Sequence, residues 1–153
     1  MDQIKECINL QGEYLASVRR VINADGKISD AEIDRRSWYV YSIDDKSIFD
    51  EDAQRLENAF RTQNSSLFYV TRVSDLLAAE NSVIAYQFKT TESDIEKFQG
   101  SSYFEINLDD CLLFNLPVTC AVLRPGSVDT TIFVGDNMFI ANVSQTSETP
   151  SGD

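Results

Sequence analysis

Residues 67–88 read LFYVTRVSDLLAAENSVIAYQF, and the reading of this stretch decides the fold. Leu67 to Val73 and Ser82 to Phe88 are rich in aromatic and β-branched residues, as strands are, and they flank a short acidic turn or helix that includes Asp75 to Glu80. Further strand signals follow. Tyr103 to Leu108 alternates, Val118 to Leu123 makes another strand before the turn Arg124-Pro125-Gly126, and Thr130 to Val134, Gly135-Asp136-Asn137 and Met138 to Val143 read as a β-hairpin. Between these, Thr91-Glu92-Ser93-Asp94 resembles a capping box with Asp in place of Glu. Ile95 and Phe98 give it one or two helical turns, and Gly100 ends them.

N-terminal to the deciding stretch the periodicity is helical. Ile4, Cys7, Ile8, Tyr14, Leu15, Val18, Val21 and Ile22 recur at helical spacing, with Asp2 and Glu6 near the start and Arg19 and Arg20 near the end, which predicts a helix over 3–23. Ser37 to Ile43 (SWYVYSI) reads as a strand. Over 50–63, Ala53, Leu56, Ala59 and Phe60 share one helical face, and Asn64-Ser65-Ser66 closes that helix. Regular βαβ alternation, Gly-rich phosphate loops and repeats are missing from the sequence. The expected fold is α+β: an N-terminal helical hairpin packed on a mostly antiparallel sheet with a C-terminal β-hairpin. Residues 1–144 form one domain in this reading, and polar residues 145–153, with Pro150 and Gly152, form a disordered tail.

The chain carries a formal charge of -12 over 153 residues, from 25 acidic and 13 basic side chains, and contains no histidine. The charge favours a basic partner, and nucleic acid or an anionic membrane would be repelled. The missing imidazole removes the side chain most used for proton transfer and metal ligation near neutral pH. Cys7, Cys111 and Cys120 are widely spaced among apolar neighbours, as reduced cysteines in a cytosolic core are. The N-terminal residues have an acid at position 2 and no unbroken apolar run, so neither a signal peptide nor a membrane span is expected. Asn142-Val143-Ser144 fits a glycosylation sequon, which is read as chance.

Asn23-Ala24-Asp25-Gly26-Lys27-Ile28-Ser29-Asp30-Ala31-Glu32 is the most motif-like segment. It resembles the back half of an EF-hand loop, with Asn23, Asp25 and Glu32 as ligands, although Val21 stands where the leading carboxylate belongs. The ligand pattern would suit a calcium-responsive domain; the same residues are also similar to the acidic helix–helix turn of the TerB-like family, which implies a signalling or interaction domain. Helix capping accounts for them fully: Gly26 as a left-handed residue, Ser29 and Glu32 as an S-x-x-E box, and Ile28 with Ile33 as a hydrophobic staple. No metal or cofactor is expected on that account.

Asp44, Asp45, Asp50, Glu51 and Asp52 place five carboxylates within nine positions, directly after Trp38, Tyr39 and Tyr41. Acids around aromatic anchors are what a binder of an Arg- or Lys-rich surface would use. Alternation along the strand buries either Trp38 and Val40 or Tyr39 and Tyr41. Glu105, Asp109 and Asp110 form a second acidic candidate. A carboxylate-centred enzyme is disfavoured because adjacent acids point apart. No S-x-x-K, nucleophile-elbow or C-x-x-C spacing occurs either. Part of the acidity belongs to helix starts at Asp2, Glu6, Asp30, Glu32, Asp50 and Asp94. The expectation is a small cytoplasmic, non-enzymatic binding protein that neutralises a basic protein. It is similar in character to bacterial immunity proteins that block nuclease toxins, and the resemblance implies a nuclease toxin domain as the partner.

Overall fold

The computed structural model describes residues 7–45, 48, 50–99, 110–124 and 130–144. The strands are β1 (Cys7–Gln11), β2 (Tyr39–Ile43), β3 (Leu67–Arg72), β4 (Ser82–Lys89), β5 (Cys111–Phe114), β6 (Cys120–Arg124) and β7 (Thr131–Gly135). The helices are α1 (Gly12–Val21), α2 (Asp30–Arg36), α3 (Glu51–Thr62), α4 (Val73–Leu77), α5 (Glu92–Gln99) and α6 (Asn137–Val143). The seven described strands form one antiparallel sheet in the order β1-β4-β3-β5-β6-β7-β2. The fold is therefore α+β, and the deciding stretch is the β3–α4–β4 unit.

Helices cover both faces of the sheet. Phe68 and Val70 of β3, Leu113 of β5, Val122 of β6 and Phe133 of β7 pack against Leu56 and Phe60 of α3, Ile95 and Phe98 of α5 and Phe139 of α6. On the other face Leu112, Phe114, Ala121, Leu123 and Val134 meet Leu15, Val18 and Val21 of α1 and Val73 and Leu76 of α4. Burial on both faces explains why CLLF and CAVLR lack the polar alternation of a half-exposed strand, and every one of their residues is buried. That doubly buried run at 111–114 is the central strand β5.

Two expected elements form differently, and β5 is a strand that the sequence reading did not contain. In the described part of 3–23, residues 7–11 are strand β1, paired with β4 from Cys7↔Tyr86 to Gln11↔Ser82, and the helix begins only at Gly12. Gly12 takes φ +62, a conformation that interrupts a helix and that glycine adopts without a steric penalty. Ile8 and Leu10 also satisfy a period of two, and pairing with β4 decides between the periods. The C-terminal hairpin is not formed: Met138–Val143 belong to α6. Asp136 is its N-cap, accepting from Phe139 N–H at 2.9 Å, and Phe139 and Val143, one helical turn apart, are buried. β7 takes its outer partner from far upstream, with Tyr39↔Gly135 to Ile43↔Thr131 joining it to β2. Gly135 is fixed by packing, since a Cβ there would lie 2.7 Å from Phe139 Cδ2.

The expected strand at 103–108, the turn at 125–126 and the tail at 145–153 lie outside the described residues. Among the described residues, no helix is long and apolar enough to cross a membrane.

Candidate functional site

The Asn23–Glu32 segment is a structural turn. Asn23 Oδ1 accepts from the N–H groups of Asp25 (2.9 Å) and Lys27 (3.1 Å), Gly26 takes φ +76, and Ile22 and Ile28 form a β-bridge. Ser29 caps α2 by accepting from Glu32 N–H at 3.2 Å. The box is not reciprocal, because Ser29 N–H donates to Val21 C=O and the Glu32 carboxylate turns elsewhere. Arg35 grips it in a fork, Nε to Oε1 at 3.0 Å and Nη2 to Oε2 at 2.6 Å, and Arg36 Nε donates to Oε2 at 2.6 Å. Arg36 continues to Val118 C=O at 2.9 Å and lies 4.7 Å from the Trp38 ring centre. Hydrogen bonds from Arg35, then from Arg36, and the two positive charges hold the Glu32 carboxyl down at about 2 against the opposing effect of burial. Both oxygens of the residue that would close a calcium loop are thus taken by guanidiniums.

The chain leaves α2 through Ser37, at φ 58 and ψ 41, with Ser37 N–H donating to Asp34 C=O and Trp38 N–H to Ile33 C=O. This turn sends Trp38 inward. It is 9% exposed in the core under Arg36, whereas the sequence reading offers it as a partner anchor beside Tyr39 and Tyr41. Neither alternate set of the SWYVYS strand is wholly buried. Tyr41 packs half-buried on Phe133, with ring centres 6.1 Å apart, whereas Tyr39 and Val40 are each 54% exposed. The reason is position: β2 ends the sheet, so beyond β7 no described strand shields it. Met138, 56% exposed, stands in the first turn of α6, three residues after Gly135, the register partner of Tyr39.

The carboxylates continue from the C-terminal end of β2. Asp44 and Asp45 are exposed, and Asp45 C=O accepts from Thr131 Oγ1 at 2.6 Å. Asp50 is exposed at φ 55 and ψ -119, and its N–H donates to Glu96 Oε2 at 2.7 Å. Arg55 pairs with Glu51 (3.2 Å) and Asp52 (2.9 Å). The Asp52 carboxyl is pushed up, first by burial and then by Asp45 and Glu51, with Arg55 opposing. Glu57 of α3 accepts from Glu92 N–H at the start of α5 (2.8 Å), so some acids here hold backbone donors. Over 44–57 the sequence has six carboxylates against Lys46 and Arg55.

Of the second acidic group, Glu105 and Asp109 lie outside the described residues; Asp110 is exposed, and its C=O accepts from Val73 N–H at 2.9 Å. Tertiary structure brings Asp110 to the same sheet end as Asp44 and Asp45. Ile43↔Thr131, Leu123↔Ile132 and Cys111↔Arg124 set the register, and Asp110 stands three strands from β2, about 14 Å at the usual strand spacing. Arg124, 2% exposed, lies in that same row. Burial pushes its pKa down, and Cys111 and Asp45 act the other way. In the sequence Arg124 stands at the Arg124-Pro125-Gly126 turn. The available signal was a cation ending a strand with no polar alternation.

Among the described residues, β2 thus carries the exposed side chains of Tyr39 and Val40 and an edge with which no described strand pairs, and a run of carboxylates follows it in the chain. Burial pushes the Cys120 thiol well up, away from the reactive thiolate. Among the described residues no three His, Cys, Asp or Glu side chains are grouped to hold a metal ion. A depression of about 310 Å³, lined in part by Arg72, Asp75, Glu80 and Tyr86, lies at α4 and β4, in the other half of the sheet from β2. Comparison with protein-family models, with curated proteins and with solved structures finds no match to this chain.

Proposed function

We propose that this chain is a non-enzymatic binding protein that captures a basic protein through the surface around β2, as immunity proteins that neutralise nuclease toxins do. The observation that carries the reading is the continuity of Tyr39 and Val40, each more than half exposed on an end strand, with Asp44, Asp45, Asp50 and Glu51. Carboxylates around such a patch raise the encounter rate with a cationic protein, and the apolar contacts slow its release. The absence of histidine and the inert environment of Cys120 favour binding over catalysis. No disulfide joins the three cysteines, which favours a cytoplasmic site of action.

The test is affinity purification from source cells with the wild type and with the triple variant Asp44→Lys, Asp50→Lys, Glu51→Lys, followed by titration of the purified partner at two salt concentrations. The expected partner is basic, binds roughly tenfold or more weaker to the variant, and loses affinity as salt rises. A neutral or acidic partner, or binding indifferent to both salt and charge reversal, overturns the reading.

A further inference from the structure

We infer that the segment captured at this surface is extended and cationic, and that it adds to the outer edge of β2 as a further strand. The inference rests on the proposed binding of a basic protein and specifies its mode. Among the described residues β2 is bonded on one side only, to β7 through Tyr39↔Gly135 to Ile43↔Thr131, and no described strand pairs with its other side. In an antiparallel pair alternate residues turn their N–H and C=O away from the partner, so about two or three of the five residues of β2 present both groups outward. Proteins commonly blunt such an edge with lysine, proline or a bulge. The YVYSI strand has no lysine or proline, and its register with β7 runs unbroken through five pairs.

The side chains beside this edge suit an added strand. Tyr39 lies on the α6 face and Val40 on the opposite face, so each stands ready for a cross-strand neighbour of the incoming chain. Met138, exposed in the first turn of α6, follows Gly135, the register partner of Tyr39, by three residues. At the C-terminal end of β2, the exposed Asp44 and Asp45 follow Ile43 directly, so negative charge stands at the end of the edge along which the added strand would run. That charge selects a Lys- or Arg-bearing segment. It also disfavours a second copy of this chain, which carries a formal charge of -12 itself.

The test uses two synthetic peptides of equal charge and about 12 residues, the first alternating Lys with Val and Thr, the second with Pro at every third position, which removes amide donors from both edges of the strand. Amide exchange is followed residue by residue in the full chain, at low salt, with and without each peptide. The expected result has three parts: the β2 amides not bonded to β7 exchange fast in the free protein, slow at least tenfold with the first peptide, and the second peptide binds at least tenfold more weakly. Equal binding of both peptides without protection at β2 overturns strand addition and leaves the electrostatic reading standing. Binding of neither overturns both. If all β2 amides are already protected in the free protein, the edge is occupied by this chain or by a second copy, and strand addition by a partner fails.

Discussion

Replacing Glu32 by Gln keeps the size of the side chain and removes the charge that Arg35 and Arg36 grip. With its pKa held at about 2 rather than 4.5, the carboxylate would contribute about 3 kcal/mol if the whole difference became stability. Solvent reduces that figure, because the Arg35 side chain is 58% exposed, so the expected loss at pH 7 is about 1–2 kcal/mol. A depressed carboxylate pKa contributes fully above the unfolded value of 4.5, and the contribution falls away as pH drops from there towards 2. Urea unfolding of both proteins at pH 7, 4 and 2.5 should give midpoints that converge on acidification, with unchanged slopes. Equal midpoints at pH 7, or a gap that persists undiminished at pH 2.5, would refute the clamp. The same proteins test the loop: millimolar calcium should leave the wild-type melting temperature unchanged, and a rise of several degrees lost in Glu32→Gln would show that the carboxylate serves a metal instead.

Gly135→Ala should destabilise by about 1–3 kcal/mol, since the new methyl would lie 2.7 Å from Phe139 Cδ2 and 3.1 Å from Cys120 Cβ; a thermal midpoint equal to wild type would show that α6 yields freely. Asp50→Gly relieves a backbone at φ 55, ψ -119 and should raise stability by about 1 kcal/mol in chemical denaturation, a loss being the contrary result. Asn115→Ala strands the N–H groups of Thr119 and Cys120, which donate to Asn115 Oδ1, together with the hydroxyls that its amide reaches. It should cost about 2–3 kcal/mol in urea titration, whereas a cost below about 0.5 would mean that water replaces the amide. Tyr39→Ser with Val40→Thr should leave the unfolding midpoint within about 0.5 kcal/mol of wild type, because both side chains are largely exposed; a larger loss would place them in the core.

Local chemistry determined much of the chain. The strand character of 67–73 and 82–88, the amphipathic face of α3 at Ala53, Leu56, Ala59 and Phe60, and the caps at Ser29 and Thr91 follow from side-chain periodicity and hydrogen-bonding capacity within a few residues. The acidic band after β2 was legible for the same reason: charge and composition are properties of the sequence itself.

Only the tertiary structure decided the cases in which two local patterns competed or a partner came from far away. Residues 7–11 satisfy both periods, and β4 makes them a strand; Asp136 serves a turn or an N-cap equally well, and β2, by taking the edge of β7, leaves Met138–Val143 to fold as a helix. Trp38 and Tyr39 are neighbours of similar chemistry, yet the left-handed Ser37 sends one into the core while the end position of β2 leaves the other at the surface. Arg124 acquires its burial, and Asp110 its place at the same sheet end as Asp45, from the register of four strands. Such outcomes depend on long-range pairing free energies, which no window of adjacent residues contains.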